Sequence, residues 1–285
     1  MINTLKNQIE AIINKRPIHI KVLSGGMIGQ VYRVKLPDNE VIVAKYAPNA
    51  DATLDIEGYM LNYLKKHSNI PVPEVIHSSK QLLLMTFIEG NSNLSTSVQE
   101  HAAELLADLH SIRAESFGLE RDTLIGGLHQ PNPNSDSWVT FFRDHRLLFM
   151  GQHAVKEGRL TSSIYTRLEN FCADLGNWIN EPKHPALIHG DMWTTNILAK
   201  DGQVTGFVDP AIYYGHPEIE LAFSTLFGTF NQAFFDCYHE INPIEPDFME
   251  VRRDIYNLYP LLVHVRLFGG GYSNSVSGIL RRFGY

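Results

Sequence analysis

A chain of 285 residues is long enough for one large core or two modest ones. Hydrophobic residues at 44% and charged residues at 19% exclude an extensively disordered chain and predict a globular protein. With 24 Lys plus Arg against 31 Asp plus Glu, the net charge of -7 offers no general basic surface, which argues against nucleic acid as a partner but not against a local basic patch.

In chain order, the opening MINTLKNQIEAIINKR mixes polar and apolar residues and has no signal-peptide h-region. No run of about 18 apolar residues follows, so no membrane span is expected and a cytoplasmic protein is. Residues 3–15 read as a helix with Leu5, Ile9, Ile12 and Ile13 near one face. Residues 18–23 alternate like a strand, 24–29 form a glycine-rich turn, and 31–36 and 41–46 supply two more strands around the turn Pro37-Asp38-Asn39. Three strands in a meander predict an antiparallel sheet. A helix over 51–67 ends before Pro71-Val72-Pro73, and strands at 75–76 and 81–87 follow. After Glu89-Gly90-Asn91 the texture becomes helical, which places a lobe boundary between 1–89 and 90–285.

In the second lobe, Thr96 or Ser97 can cap a helix carrying Ala102, Leu105, Leu106 and Leu109, and residues 126–137 read as a loop. Further helices are predicted over 138–157, 162–180, 218–238 and 247–267. A short hairpin turns at Gly202 between 196–198 and 205–208. Cys172 and Cys237 form no CxxC pair and read as buried thiols, and the thirteen histidines show no metal-ligand spacing. The 24–31 segment, SGGMIGQV, is close to GxGxxGxV, so amides around Gly25, Gly26 and Gly29 can face phosphate oxygens; an ordinary tight turn explains the same glycines. Val43-Ala44-Lys45 resembles the strand that sets a lysine over nucleotide phosphates in protein kinases. Glu57, on the next helix, can hold Lys45 in an ion pair, with Asp55 as its rival.

The octet HGDMWTTN, residues 189–196, has the spacing H-x-D-x-x-x-x-N, and Asp209 arrives thirteen residues later at the end of another strand. Four such positions in one frame arise by chance on the order of once in several hundred chains of this length. Phosphoryl transfer explains them, because a transferring phosphoryl group needs its charge neutralised and its nucleophile aligned. Asn196 and Asp209 offer hard oxygen ligands to magnesium, and Asp191 can accept the hydrogen bond of a substrate hydroxyl. His189 reads as a brace for the loop in preference to a proton carrier, and Trp193 as either core or pocket wall.

With these motifs the sequence resembles the fructosamine kinase (ketosamine-3-kinase) family, within the protein-kinase-like group that includes aminoglycoside and choline kinases. His189-Gly190-Asp191-Met192-Trp193-Thr194-Thr195-Asn196 matches the family's HGDLWxGN, Asp209-Pro210-Ala211 stands for the kinase DFG, and the segment from Tyr213-Tyr214-Gly215-His216-Pro217-Glu218 to Ala222 matches further. Weaker matches are Leu106 to His110, Trp138 with Phe141-Phe142, Arg146-Leu147, and Phe268 to Tyr272. The resemblance covers about residues 20–272.

It implies an α+β, two-lobed protein-kinase-like fold, with a small antiparallel-sheet N-lobe and a larger, mainly helical C-lobe. It implies ATP between the lobes, its adenine near Met85-Thr86-Phe87-Ile88, and acceptor contacts from Trp193, Tyr214, His216 and Glu218. The implied reaction is magnesium-dependent phosphorylation of the sugar 3-hydroxyl of a small-molecule or protein-bound ketosamine, associated with protein deglycation, by a monomer or weak dimer. Met192 for leucine conserves volume, and Thr194-Thr195 for the common Ser-Gly alters the shape of the pocket. Met27 stands where some members carry cysteine, so no thiol switch is expected there. The rivals are a kinase for another hydroxylated amine, of the aminoglycoside, choline or methylthioribose type, and an ATP-binding pseudokinase.

Overall fold

The computed structural model describes residues 2–23 and 29–285. Strands β1 (His19–Leu23), β2 (Gln30–Lys35), β3 (Val41–Tyr46), β4 (Val75–Ser78) and β5 (Leu82–Thr86) form an antiparallel sheet in the order β1-β2-β3-β5-β4. The two-residue period of β3 divides its side chains between two faces. Ile42, Ala44 and Tyr46 join Tyr32, Val34, Leu82 and Leu84 in a core capped by Leu5 and Ile9 of helix α1 (Ile2–Ile13). Val43 faces the opposite way, with Leu83 and Met85, onto the core built by Met60, Leu61 and Leu64 of helix α2 (Leu54–His67). Lys45 shares that second face, which is why a lysine in the middle of a sheet can meet an acidic residue of α2.

Helix α2 begins three residues later than predicted. Thr53 at its N-cap has φ -134°, and the Leu54 amide bonds to the Lys80 carbonyl at 3.1 Å, so the preceding chain is held by the β4–β5 corner instead of by the helix. Helix α3 (Thr96–His110) starts from Ser95, one residue ahead of the predicted caps.

Residues 126–137, predicted as loop, contain part of a hairpin of β6 (Thr123–Ile125) and β7 (Leu128–Gln130). Gly126 and Gly127 both have positive φ at its turn, so the glycines that suggested irregular chain instead close a hairpin. The predicted helix over 138–157 is one run of α4 (Trp138–Phe142), a π-helical turn (Arg143–Leu148) and α5 (Phe149–Lys156). Helix α6 (Ser162–Ala173) is capped by the Thr161 hydroxyl, which accepts from the Ile164 amide.

Two small antiparallel ribbons then set up the chemistry. Strand β8 (Ala186–Ile188) pairs with β11 (Tyr213–Gly215), and β9 (Ile197–Lys200) pairs with β10 (Gln203–Phe207). The octet therefore links the end of β8 to the start of β9, and Asp209 lies between β10 and β11 at the same rim. The helix predicted over 218–238 is two, α7 (Pro217–Leu226) and α8 (Gln232–Ile241). Gly228 breaks it with φ +65°, and Asn231 restarts it by accepting from the Ala233 amide. A π-helical turn (Phe248–Arg252) leads into α9 (Arg253–Phe268), and α10 (Tyr272–Arg282) was not foreseen. Among the described residues no helix is long and apolar enough to cross a membrane.

Candidate functional site

Lys45 is buried on β3, and its Nζ lies 2.6 Å from Oε1 of Glu57 and forms a short ion pair with Asp209. Glu57, not Asp55, is the partner; it sits in the first turn of α2, on the face turned to the sheet. Burial works to lower the Lys45 ammonium, but the charges of Asp209 and Glu57 outweigh it and hold the group above its ordinary range. Asp209 reaches the lysine from a left-handed backbone conformation, φ +54°, rare outside glycine.

The octet is held from three sides. The His189 carbonyl accepts from the Ala211 amide at 2.7 Å, which ties the loop to the Asp209-Pro210-Ala211 turn. Gly190 has φ +84°, and a Cβ there would lie 2.1 Å from the Ala211 carbonyl oxygen, so the approach requires glycine. Beneath the loop, the fully buried Glu220 carboxylate accepts from the amides of His189 at 3.1 Å and Gly190 at 2.6 Å. Its Oε2 also meets His110 Nε2 at 2.9 Å, and His110 Nδ1 meets the Tyr238 hydroxyl at 2.7 Å. Burial pushes Glu220 up, but the His110 hydrogen bond, His189 and the Gly190 amide hold it below the usual carboxylate range. His189 is buried, and its Nδ1 faces the Asp191 amide at 3.4 Å, so it braces the turn; burial holds its imidazole below the ordinary value.

Asn196 Nδ2 donates to both the carbonyl and Oδ2 of Asp191, each at 2.9 Å. This aims the Asp191 carboxylate and leaves the amide oxygen of Asn196 for another partner. Burial, and next the charge of Asp209, push Asp191 up to about 8, against the Asn196 hydrogen bond. Two oxygen donors, Asn196 Oδ1 and the Asp209 carboxylate, fit magnesium, which takes few protein ligands and completes its shell with phosphate and water.

Two cavities meet at Asp191. One, of about 430 Å³, is lined by Lys45, Glu57, Asp191, Asp209 and the Gly126-Gly127 turn. The other runs from Asp191 past Ile125, Phe223, Tyr259, Val263 and His264, a largely apolar and aromatic wall. Tyr259 is fixed there by its hydroxyl, which donates to Gln130 Oε1 at 2.6 Å, while Gln130 Nε2 donates to the Ala211 carbonyl at 3.0 Å. The unforeseen hairpin thus braces the acceptor wall and the Asp209 turn together.

The predicted site residues divide. Lys45, Glu57, Asp191, Asn196 and Asp209 converge, and Trp193, half-buried, meets Phe227 at 6.0 Å between ring centroids. Tyr214, His216 and Glu218 do not line either cavity. The Tyr214 hydroxyl is 3.3 Å from that of Tyr63 on α2. His216 caps α7 by accepting from the Glu218 amide at 3.1 Å, packed against Trp138 and Tyr256. Glu218 receives Nε and Nη2 of Arg252 at 2.7 and 2.6 Å. Met85, Thr86, Phe87 and Ile88 run from the end of β5 towards the second lobe. Thr86 bonds to Glu74, Arg33 lies over the Phe87 ring at 5.0 Å, and Ile88 packs against Gly206. Gly29 has φ +75°, and a Cβ there would lie 2.6 Å from the Tyr46 carbonyl oxygen; Gly25 and Gly26 lie outside the described residues. The residues missed were Glu220, His110, Phe223, Tyr259 and His264. Of these, His110 and Glu220 lay inside motifs already noted.

Fold and site together define a kinase of the two-lobed, protein-kinase-like class. A solved aminoglycoside phosphotransferase shares this fold at TM-score 0.69, with 15% identity and 99% of each chain covered. A profile of the fructosamine kinase family matches residues 1–283, and the chain belongs to that family. A probable ketoamine kinase of Synechocystis sp. is 33% identical over 273 residues, 91% of this chain and 88% of that one. The chloroplastic protein-ribulosamine 3-kinase of Arabidopsis thaliana is 32% identical over 203 residues, 70% of this chain and 60% of that one. The crystal structure of a candidate fructosamine-3-kinase from Thermobifida fusca superposes at TM-score 0.87, with 28% identity, over 99% of this chain and 98% of that one.

Proposed function

We propose that this chain transfers the γ-phosphoryl group of ATP, with magnesium, to the sugar 3-hydroxyl of a ketosamine of the ribulosamine or fructosamine type. In this reading residues 1–89 carry the nucleotide and residues 90–285 the acceptor. The observation that carries it is the position of Asp191, at the junction of a cavity holding Lys45 and Asp209 and a cavity walled by apolar and aromatic side chains. Lys45, fixed by Glu57, neutralises phosphate oxygens, and Asn196 and Asp209 would hold magnesium. Bound there, the cation would offset the charges of Asp209 and the phosphates, removing one cause of the raised Asp191 carboxyl. Asp191 then accepts the hydroxyl proton as the new O–P bond forms and the bond from the γ-phosphorus to the bridging oxygen breaks, with ADP leaving.

Purified protein with magnesium ATP is expected to release ADP when given a ribulosamine or fructosamine, and less with an aminoglycoside. Folded protein that released no ADP with either ketosamine would overturn the reading.

A further inference from the structure

Beyond the acceptor cavity an aromatic belt continues to the surface. His264, on the cavity wall, lies 5.0 Å from Phe227, 5.6 Å from Phe268 and 5.0 Å from Tyr272 between ring centroids. Phe268 and Tyr272 are 6.3 Å apart, and Phe227 also meets Trp193. Phe227 is 39% and Phe268 53% exposed. Single exposed phenylalanines are ordinary, but here the exposed rings form one patch joined to a cavity. The turn that makes the patch is specified: Gly269 and Gly270, at φ +66° and +64°, end α9 directly after Phe268 and let α10 begin at Tyr272. His264 is fixed in the middle, its Nδ1–H donating to the Pro260 carbonyl at 2.7 Å.

A ketosamine has two ends. Its reacting hydroxyl must lie at Asp191, and its amine carries everything that is not sugar. Asp191 lies where the two cavities meet, and a polypeptide is too large to follow the sugar to it, so the amine substituent has to leave through an open side. We propose that Phe227, Phe268 and Tyr272 form a subsite for the amine side of the acceptor, selecting ketosamines whose nitrogen bears a hydrocarbon chain followed by an apolar group. The stem of a lysine beside an apolar residue in a peptide has this form. The inference rests on the ketosamine reading above. Ring faces attract the protonated secondary amine, and the stem buries hydrocarbon against them.

The test compares two ribulosamines, one made on methylamine and one on the lysine of a short peptide with leucine neighbours. The readout is the ratio of kcat/KM for the peptide adduct to that for the methylamine adduct. In Phe268→Ser and Phe227→Ser this ratio is expected to fall about tenfold, mainly through KM, and Phe268→Tyr is expected to restore it. A loss of folded protein lowers both rates alike and leaves the ratio in place. A ratio within twofold of wild type in both serine variants would overturn the subsite. Wild-type protein that phosphorylates neither adduct would instead bring down the acceptor reading, and the subsite with it.

Discussion

Glu218 and Glu220 stand two residues apart on α7, both buried, and serve different parts of the molecule. Positions i and i+2 of a helix point to different sides, so one carboxylate faces Arg252 of the π-helical turn before α9 while the other faces the amides of His189 and Gly190. Burial pushes Glu218 above its ordinary range against the pull of Arg252, whereas the donors around Glu220 hold it below. A buried acid is therefore not a mark of chemistry by itself. What matters is whether its partner leads to Asp191, and substitutions sort the two cases into lost rate and lost stability.

The largest effect is expected at the carboxylate itself. Asp191→Asn keeps an oxygen for the Asn196 amide but removes the proton acceptor, and kcat should fall by about 10²–10⁴-fold. ADP release under saturating ketosamine measures the fall, and calorimetric titration with nucleotide should show affinity within a few-fold of wild type. A variant turning over within tenfold of wild type would remove Asp191 from the chemistry.

Next comes Glu218→Gln, which leaves Arg252 buried without its charge partner and should lower stability by about 3 kcal/mol. Urea unfolding reads the loss, while kcat per folded molecule should stay as in wild type. A fall in kcat without one in stability would return Glu218 to the acceptor site. Glu220→Gln is expected to lower stability and rate together. The glutamine amide would face donors where a carboxylate oxygen had accepted, at a stability cost of about 2 kcal/mol. Displacement of the Gly190 turn should lower kcat about tenfold, equal to roughly 1.4 kcal/mol of barrier. Matching losses in the two glutamate variants would erase the distinction.

The same contrast explains what the sequence made legible. Phosphate chemistry demands charged or amide side chains at set distances along two loops, so Asp191, Asn196 and Asp209 stood out from spacing, and the order of lysine strand and acidic helix pointed to Glu57 as the partner of Lys45, with Asp55 as its rival. The acceptor wall has no such spacing. Ile125, Phe223, Tyr259 and His264 come from a hairpin and two helices and look like core residues one by one. In the Tyr213–Glu220 segment, Tyr214, His216 and Glu218 are engaged by Tyr63, the first turn of α7 and Arg252 and do not line the two cavities. Polar groups that pack, cap and pair are as conspicuous in a sequence as those that bind. In the C-lobe, the β6–β7 hairpin and α10 were missed. The hairpin strands are only three residues long, and their pairing depends on contacts with Ala211 and Tyr259 that local pattern does not carry.

His216 gives the smallest expected effect and a direct reading of the structural side of α7. Burial, then the charges of Arg252 and His110, push its imidazole down to about 3, while the unfolded chain keeps the ordinary value near 6.5. Between those values the unfolded state binds the extra proton, so stability rises with pH through that window and is level above it. Acidification below pH 6.5 should therefore cost up to about 1.4 kcal/mol per pH unit from this residue alone. His216→Asn keeps a side-chain acceptor for the Glu218 amide and does not titrate. Its unfolding free energy, measured in urea between pH 6.5 and 5, should decline less steeply than that of wild type by about that amount, because the carboxylates common to both proteins cancel in the difference. Parallel declines would mean that His216 takes up its proton in the folded protein, and that the first turn of α7 is open to water in a way its packing against Trp138 and Tyr256 does not allow.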